Sequence, residues 1–111
     1  VLQTYDDYPV ICFMQMEDLG FCEKGQAAEF VRTHSLETDG TFPHNTSGGQ
    51  LSAGQAGAAG GYLGLVEAVR QVTNSAGPTQ VEKAETALVS GFGMINFDRG
   101  LCSGAAIIAS A

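Results

Sequence analysis

The sequence predicts a mixed helix-and-strand domain, α/β or α+β, and three observations carry that prediction. Helical signals come first along the chain, and two short apolar runs bounded by glycine close it. Hydrophobic residues make up 44% of the 111 residues and charged residues 15%, a balance too apolar for disorder. Fifteen glycines, about twice the ordinary usage of roughly 7%, follow no triplet repeat and therefore belong inside a folded object. The length suits one domain.

Residues Val10 to Gly20 read as the first helix. Asp6 or Asp7 can cap its start, Pro9 sits in the first turn where its missing N–H costs little, and Gly20 can end it in a left-handed conformation. Apolar residues at nearly every position from Val10 to Met16 predict a helix covered on most sides. Gly25 to Arg32 reads as a short helix, and Glu37 to Phe42, with Asp39-Gly40, as a turn. Pro43 to Gln50 has turn formers at both ends and no periodicity. From about Ala56 a helix is expected to reach Asn74, because Tyr62, Leu65, Val66 and Val69 follow the spacing of one buried stripe while Glu67 and Arg70 take the other face. Gly77-Pro78 ends it. Thr86 to Gly93 and Gly104 to Ala109, separated by the polar turn Asn96 to Arg99, read as two strands of a buried sheet.

Five Lys+Arg against twelve Asp+Glu give a net charge of -7, so no basic face is available for nucleic acid or an anionic membrane surface. No apolar run approaches the roughly 18 to 20 residues of a membrane span. With no Met start and no charged region before an apolar stretch, no targeting segment is visible, and the expectation is a soluble piece of a longer chain. Cys12, Cys22 and Cys102 are odd in number and lack finger spacing, which argues against a disulfide framework or structural zinc and for a reducing, cytoplasmic compartment. No pair of histidines or carboxylates has metal-ligand spacing, so no metal is expected.

Seven glycines fall between positions 48 and 64. A phosphate cradle fails for want of a following Gly-Lys-Ser/Thr and of a strand in phase with a GxGxxG. Two readings remain. The pairs Gly57/Gly61 and Gly60/Gly64 let a helix approach a neighbour closely, or the backbone around Ser52 to Gln55 comes close to a ligand.

The stretch Asn45-Thr46-Ser47-Gly48-Gly49 through Gly54-Gln55-Ala56-Gly57-Ala58-Ala59-Gly60 resembles the thiolase signature, in which an Asn-x-x-Gly-Gly strand leads into Gly-His-Pro-x-Gly-Ala-x-Gly. Tyr5-Asp6-Asp7-Tyr8 falls where thiolases carry Asn-Glu-Ala-Phe and the sterol-carrier-protein-x branch carries Tyr-Asp-Cys-Phe, and Glu17 to Gly25 resembles the segment that follows in that lipid-transfer branch. The resemblance covers nearly the whole chain. It implies an α/β fold, the C-terminal portion of the layered αβαβα thiolase architecture, with residues 1–111 as an incomplete domain whose N-terminal half is absent.

The resemblance also implies a chemistry. A thiolase uses a cysteine nucleophile in its N-terminal half, a histidine in the Gly-His-Pro loop and a second acid/base near the last strands. Here Gln55 stands at the histidine position, and an amide can donate a hydrogen bond to an oxyanion but cannot exchange protons near neutral pH. The acid/base position falls near Phe97 or Asp98, and Cys102, beyond it, reads as a small buried hydrophobe in a strand. The pattern is similar to thiolase-like aldolases that cleave steroid side-chain β-hydroxyacyl-CoA thioesters, in which a tyrosine of the Tyr-Asp motif is implicated. Tyr5 matches it, whereas a second family tyrosine is replaced by Gln55. Tyr5 and Gln55 are therefore the catalytic candidates, and Ser52, Gly54 and Asp98 the substrate-binding ones. A phenol serves as a base only if its surroundings lower its pKa. Asp6 and Asp7 either tune Tyr5 or cap a helix, Tyr8 reads as structural, and His34 and His44 read as surface residues. By resemblance the substrate is an acyl-CoA, with coenzyme A as part of it and no covalently bound cofactor. The same resemblance implies a thiolase-type homodimer and an OB-fold, zinc-ribbon partner protein. The alternatives are an acyltransferase of the same fold and a non-catalytic half that binds acyl chains or a partner.

Overall fold

The computed structural model describes all residues except 56 and 98, and the backbone alone at 57–59, 94–96, 99 and 100. Three strands form one sheet in the order β1-β2-β3: β1 (Leu2–Thr4), β2 (Thr86–Asn96) and β3 (Arg99–Ala109). The two apolar runs thus become an antiparallel pair, with Thr86 opposite Ala109 and Gly91 opposite Gly104. β3 is exposed along most of its length, so the expected burial of both strands holds only for β2. Cys102, expected in the interior, is exposed on β3, while Cys12 is buried and all three cysteines are free.

β1 was not expected. Three residues are too few to show a period, and two of them are polar, yet all three are buried. They are buried because each polar group is satisfied from far along the chain. Gln3 Nε2 donates to Thr46 Oγ1 (3.1 Å), Thr4 N to Asn45 Oδ1 (2.8 Å), and Thr4 Oγ1 lies 2.7 Å from His44 Nε2. On one side β1 runs parallel to β2, with Leu2 opposite Leu88 and Thr4 opposite Ser90. On the other it meets residues 43–45, where the anticipated Asn-x-x-Gly-Gly strand is reduced to a single bridge between Leu2 and His44.

His44 is consequently not a surface residue. Burial lowers its pKa from 6.5 to about 4, against a small opposing pull from Asp6. The neutral ring is the folded form, so stability is undiminished above about pH 6.5 and falls as the pH drops from there toward 4. The difference in denaturation midpoint between wild type and His44→Gln is expected to be constant above pH 6.5. Below it the wild type should lose more, and parallel curves would contradict the assignment.

Side chains along β2 alternate between two faces. Ala87 and Val89 meet α4 (Leu63–Val72) through Ala68 and Val72, whereas Ser90 and Phe92 face α1 (Pro9–Asp18) and Tyr5. The result is a helix–sheet–helix arrangement. α1 has Pro9 in its first turn and Gly20 at φ +81° just beyond its end, as expected. Its apolar run is not covered on most sides, since only Cys12 and Met16 are buried. α2 (Ala27–Thr33) is held to α1 by Ala27 N donating to Glu17 Oε1 (3.1 Å). Phe42 closes this corner, edge-on to Phe21 and Phe30, each at 4.9 Å, and His34 stacks on Phe30 at 4.1 Å.

The long glycine-containing helix is shorter than expected and turned the other way. Gly57–Tyr62 is a 3-10 helix and the α-helix begins at Leu63, in keeping with the poor helix propensity of clustered glycine. Val72 is its last residue, and Asn74 at φ +55° turns the chain before Gly77. Tyr62 and Val66, assigned to the buried stripe, are 66% and 55% exposed, whereas Glu67, assigned to solvent, is 1% exposed. The small side chain of Ala68 lets the sheet approach, and Gly64 helps, because a Cβ there would sit 3.3 Å from Gln3 Cβ and 3.6 Å from Val89 Cγ1. Gly61, by contrast, faces open space. Glu67 tolerates burial because Oε1 accepts from Thr46 Oγ1 (2.7 Å) and Gln71 Nε2 (2.9 Å), and Oε2 from Arg70 (2.9 Å). Among the described residues no helix is long and apolar enough to cross a membrane.

Candidate active site

Tyr5 leaves the end of β1 and is held by three different parts of the chain. Its N–H donates to Ser90 O (3.0 Å), continuing the pairing of β1 with β2 by one residue. Its ring stands edge-on to Phe92 of β2, with centroids 5.3 Å apart and planes at 79°. Its hydroxyl accepts from Gln55 Nε2 at 2.9 Å. The two catalytic candidates, fifty residues apart in sequence, are therefore neighbours.

The Gly-Gly pair explains how the segment carrying Gln55 arrives there. Residues Gly49–Ala53 form a short helix, α3, which no periodicity announces in the sequence. Asp6 caps it: Gln50 N donates to Asp6 Oδ1 (2.8 Å) and Leu51 N to Asp6 Oδ2 (3.3 Å). Asp6 is a capping residue, then, but of a helix 44 positions away and not of α1, whose flanking residue Tyr8 makes no side-chain cap. Gly48 (φ +89°) and Gly49 (φ +64°) supply the left-handed turn into α3, and a Cβ on Gly49 would overlap the Asp6 carboxylate.

Two glutamines approach Tyr5 through a gap left by Gly60. A Cβ at that position would lie 2.5 Å from Gln50 Oε1 and 3.1 Å from Gln55 Cγ. Gln50 is buried, and its Oε1 has no hydrogen-bond partner among the described residues. Gln50 also lines, with Tyr5, a small cavity of about 20 Å³. On the open side lies a cavity of about 260 Å³ lined by Asp6, Asp7, Tyr8, Gln50, Leu51 and Gln55. Tyr8 is exposed at its edge and buries no core, contrary to its structural reading. Burial and the charge of neighbouring Asp7 push the Tyr5 phenol above its ordinary value of 10.0, with the Gln50 amide opposing them. The phenol therefore stays protonated at neutral pH, the reverse of what a resting base requires.

The remaining candidates are placed as follows. Ser52 is exposed on α3 and packs close to Gly48. Gly54, at φ +102°, ends α3 with its N–H donating to Gln50 O (2.9 Å). Neither lines the cavity that Gln55 borders. Asp98 lies outside the described residues. Asp7 acts on Tyr5, one of the two roles expected of it, whereas Gln50 and Gly60 were missed; the motif position after Gly48-Gly49 was the available signal for Gln50, and Gly60 could be interpreted only once its neighbours were known.

Comparison with known proteins bears on the whole arrangement. The pattern of the family described as thiolase C-terminal domain-like matches residues 1–102. A 17-hydroxy-3-oxo-4-pregnene-20-carboxyl-CoA lyase of Mycobacterium tuberculosis is 40% identical over 68 residues, which are 61% of this chain and 17% of the relative. A steroid side-chain-cleaving aldolase of Thermomonospora curvata is 41% identical over the same share of each chain. An acetyl-CoA acetyltransferase of Methanothermobacter thermautotrophicus is 32% identical over 93 residues, 84% of this chain and 24% of the relative. The chain thus spans less than a quarter of the length of these relatives. With a family match that takes in β1, the Tyr5 segment, the Gly-Gly turn and most of the β2–β3 pair, the chain belongs to the thiolase C-terminal domain-like family.

Proposed function

We propose that this chain forms part of a thiolase-superfamily enzyme that cleaves the Cα–Cβ bond of a β-hydroxyacyl-CoA in the retro-aldol direction. The observation that carries the reading is the Gln55 Nε2 to Tyr5 hydroxyl hydrogen bond of 2.9 Å. Because Gln55 donates into the phenol oxygen, the phenol proton is left to point elsewhere. A protonated phenol held this way suits the two acidic tasks of the reaction: stabilising the enolate that forms on the thioester oxygen, and returning a proton to its carbon. The β-hydroxyl proton leaves to a base as the Cα–Cβ bond breaks and the hydroxyl carbon becomes a carbonyl. Asp7, which lines the cavity of about 260 Å³ together with Gln55, is this chain's candidate for that base.

Support comes from the two relatives named as a lyase and an aldolase, and from an amide standing where Claisen chemistry needs an imidazole. On this reading coenzyme A enters as part of the substrate. Its phosphates meet few cations here, since the chain has five Lys+Arg in all, and the rest of the whole protein supplies the remainder. The same reading includes a thiolase-type homodimer, an OB-fold, zinc-ribbon partner and a cytoplasmic site of action, with Ser52, Gly54 and Asp98 near the substrate.

The test is product analysis. The whole protein, incubated with a β-hydroxyacyl-CoA, is expected to release a ketone or aldehyde and a shortened acyl-CoA. A second reading, acyl transfer, is favoured by the acetyltransferase relative, whose match covers 84% of this chain. It predicts no cleavage and instead a mass increase, the acyl group carried as a thioester on a cysteine outside these residues.

A further inference from the structure

We infer that Gln15 is a positioning residue for Tyr5, fixing the backbone from which the phenol projects; this rests on the reading of Tyr5 given above. β1 ends at Thr4, so Tyr5 is the first residue beyond the ladder. Its N–H reaches Ser90 O, and its carbonyl finds its partner in a side chain of α1: Gln15 Nε2 donates to Tyr5 O at 2.7 Å. The other end of the same amide, Oε1, accepts from Tyr5 N at 3.3 Å. One side chain therefore grips both polar groups of the Tyr5 peptide backbone, as a neighbouring strand would.

The amide has one satisfactory orientation. Nε2 also donates to Ile11 O (3.2 Å), and Ser90 Oγ donates to Oε1 (2.8 Å). Turned over, the carbonyl oxygen would face two carbonyls and the amino group would face the Tyr5 N–H, so every contact but that with Ser90 would be repulsive. Ser90 thus bears on Tyr5 twice, through its main-chain oxygen and through Gln15. Phe92, two residues on, holds the ring. Gln15 interrupts the apolar run of α1, which gives that polar residue a purpose the helix itself does not require.

Gln15→Met in the whole protein removes the donor and acceptor while keeping length and bulk. In the β-hydroxyacyl-CoA cleavage assay, kcat is expected to fall roughly 10- to 100-fold, the scale of a small misplacement of a reacting group, with KM little changed. Ser90→Ala, which keeps the main-chain bond and removes the hydroxyl that orients the amide, should show a smaller fall of the same kind. If Tyr5→Phe is slow and Gln15→Met keeps the wild-type kcat, the positioning role is wrong and the reading of Tyr5 stands. If Tyr5→Phe is as fast as wild type, or the wild type cleaves nothing, the reading fails and the positioning role with it. Should Gln15→Met not fold, Ser90→Ala decides: a lower kcat at constant KM supports the role, and an unchanged kcat overturns it.

Discussion

Tyr5→Phe is expected to lower kcat for cleavage by about 10²- to 10⁴-fold, the range associated with loss of one positioned proton donor. The substitution removes a single oxygen. The ring keeps its edge-on contact with Phe92, the backbone keeps its bonds to Ser90 and Gln15, and Asp6, next in sequence, continues to cap α3. Gln55 Nε2 loses its acceptor, but Gln55 is exposed and water replaces the lost partner. Thermal stability should therefore change by less than about 1 kcal/mol. KM should stay near its wild-type value if the hydroxyl acts on the enolate and not on the resting substrate. The measurement is a steady-state comparison of both constants at one pH. A variant that matches wild type in kcat would remove Tyr5 from the chemistry.

Glu67→Ala is expected to destabilise the protein by about 2 to 4 kcal/mol, from buried donors left without an acceptor and from lost packing. The residue is 1% exposed and accepts from Thr46, Gln71 and Arg70. Its loss orphans the Thr46 hydroxyl, to which Gln3 of β1 and Gln71 of α4 both donate. It also leaves a void under α4. Arg70→Met should cost less, about 1 to 2 kcal/mol, because it removes the cation from a buried carboxylate that Thr46 and Gln71 still hold. Denaturation midpoints of the two variants separate these contributions. Equal small losses would mean that the network is not what joins α4 to β1.

Much of this fold could be read from residues that act locally. Pro9 and Gly20 bracket α1 because a missing N–H and a left-handed φ are properties of those residues alone. The strands β2 and β3 were legible because apolar runs bounded by glycine need no partner to be recognised. Where the sequence misled, the deciding partner lay far off. Asp6 stands before α1 and caps α3; Gln3 and Thr4 look like surface residues and are buried by bonds to residues more than 40 positions away. α4 carries two usable stripes, and periodicity cannot say that the one with Ala68, Glu67 and Gln71 meets the sheet. The candidate site divides in the same way. Tyr5 and Gln55 come from motif positions, whereas Gln15, Gln50 and Gly60 act only through geometry that the chain acquires on folding.

The parallel pairing of Leu2 with Leu88 has a kinetic consequence. During synthesis Tyr5 leaves the ribosome some 85 residues ahead of Ser90 and Phe92, which hold it. Closing a loop of that length precedes any gain from the contacts it allows, so pairing of this kind forms late in folding. The helices and the β2–β3 hairpin, all of short range, can form earlier. Tyr5 is thus made well before the strand that fixes it, and the geometry of the site waits on a pairing that forms late in folding.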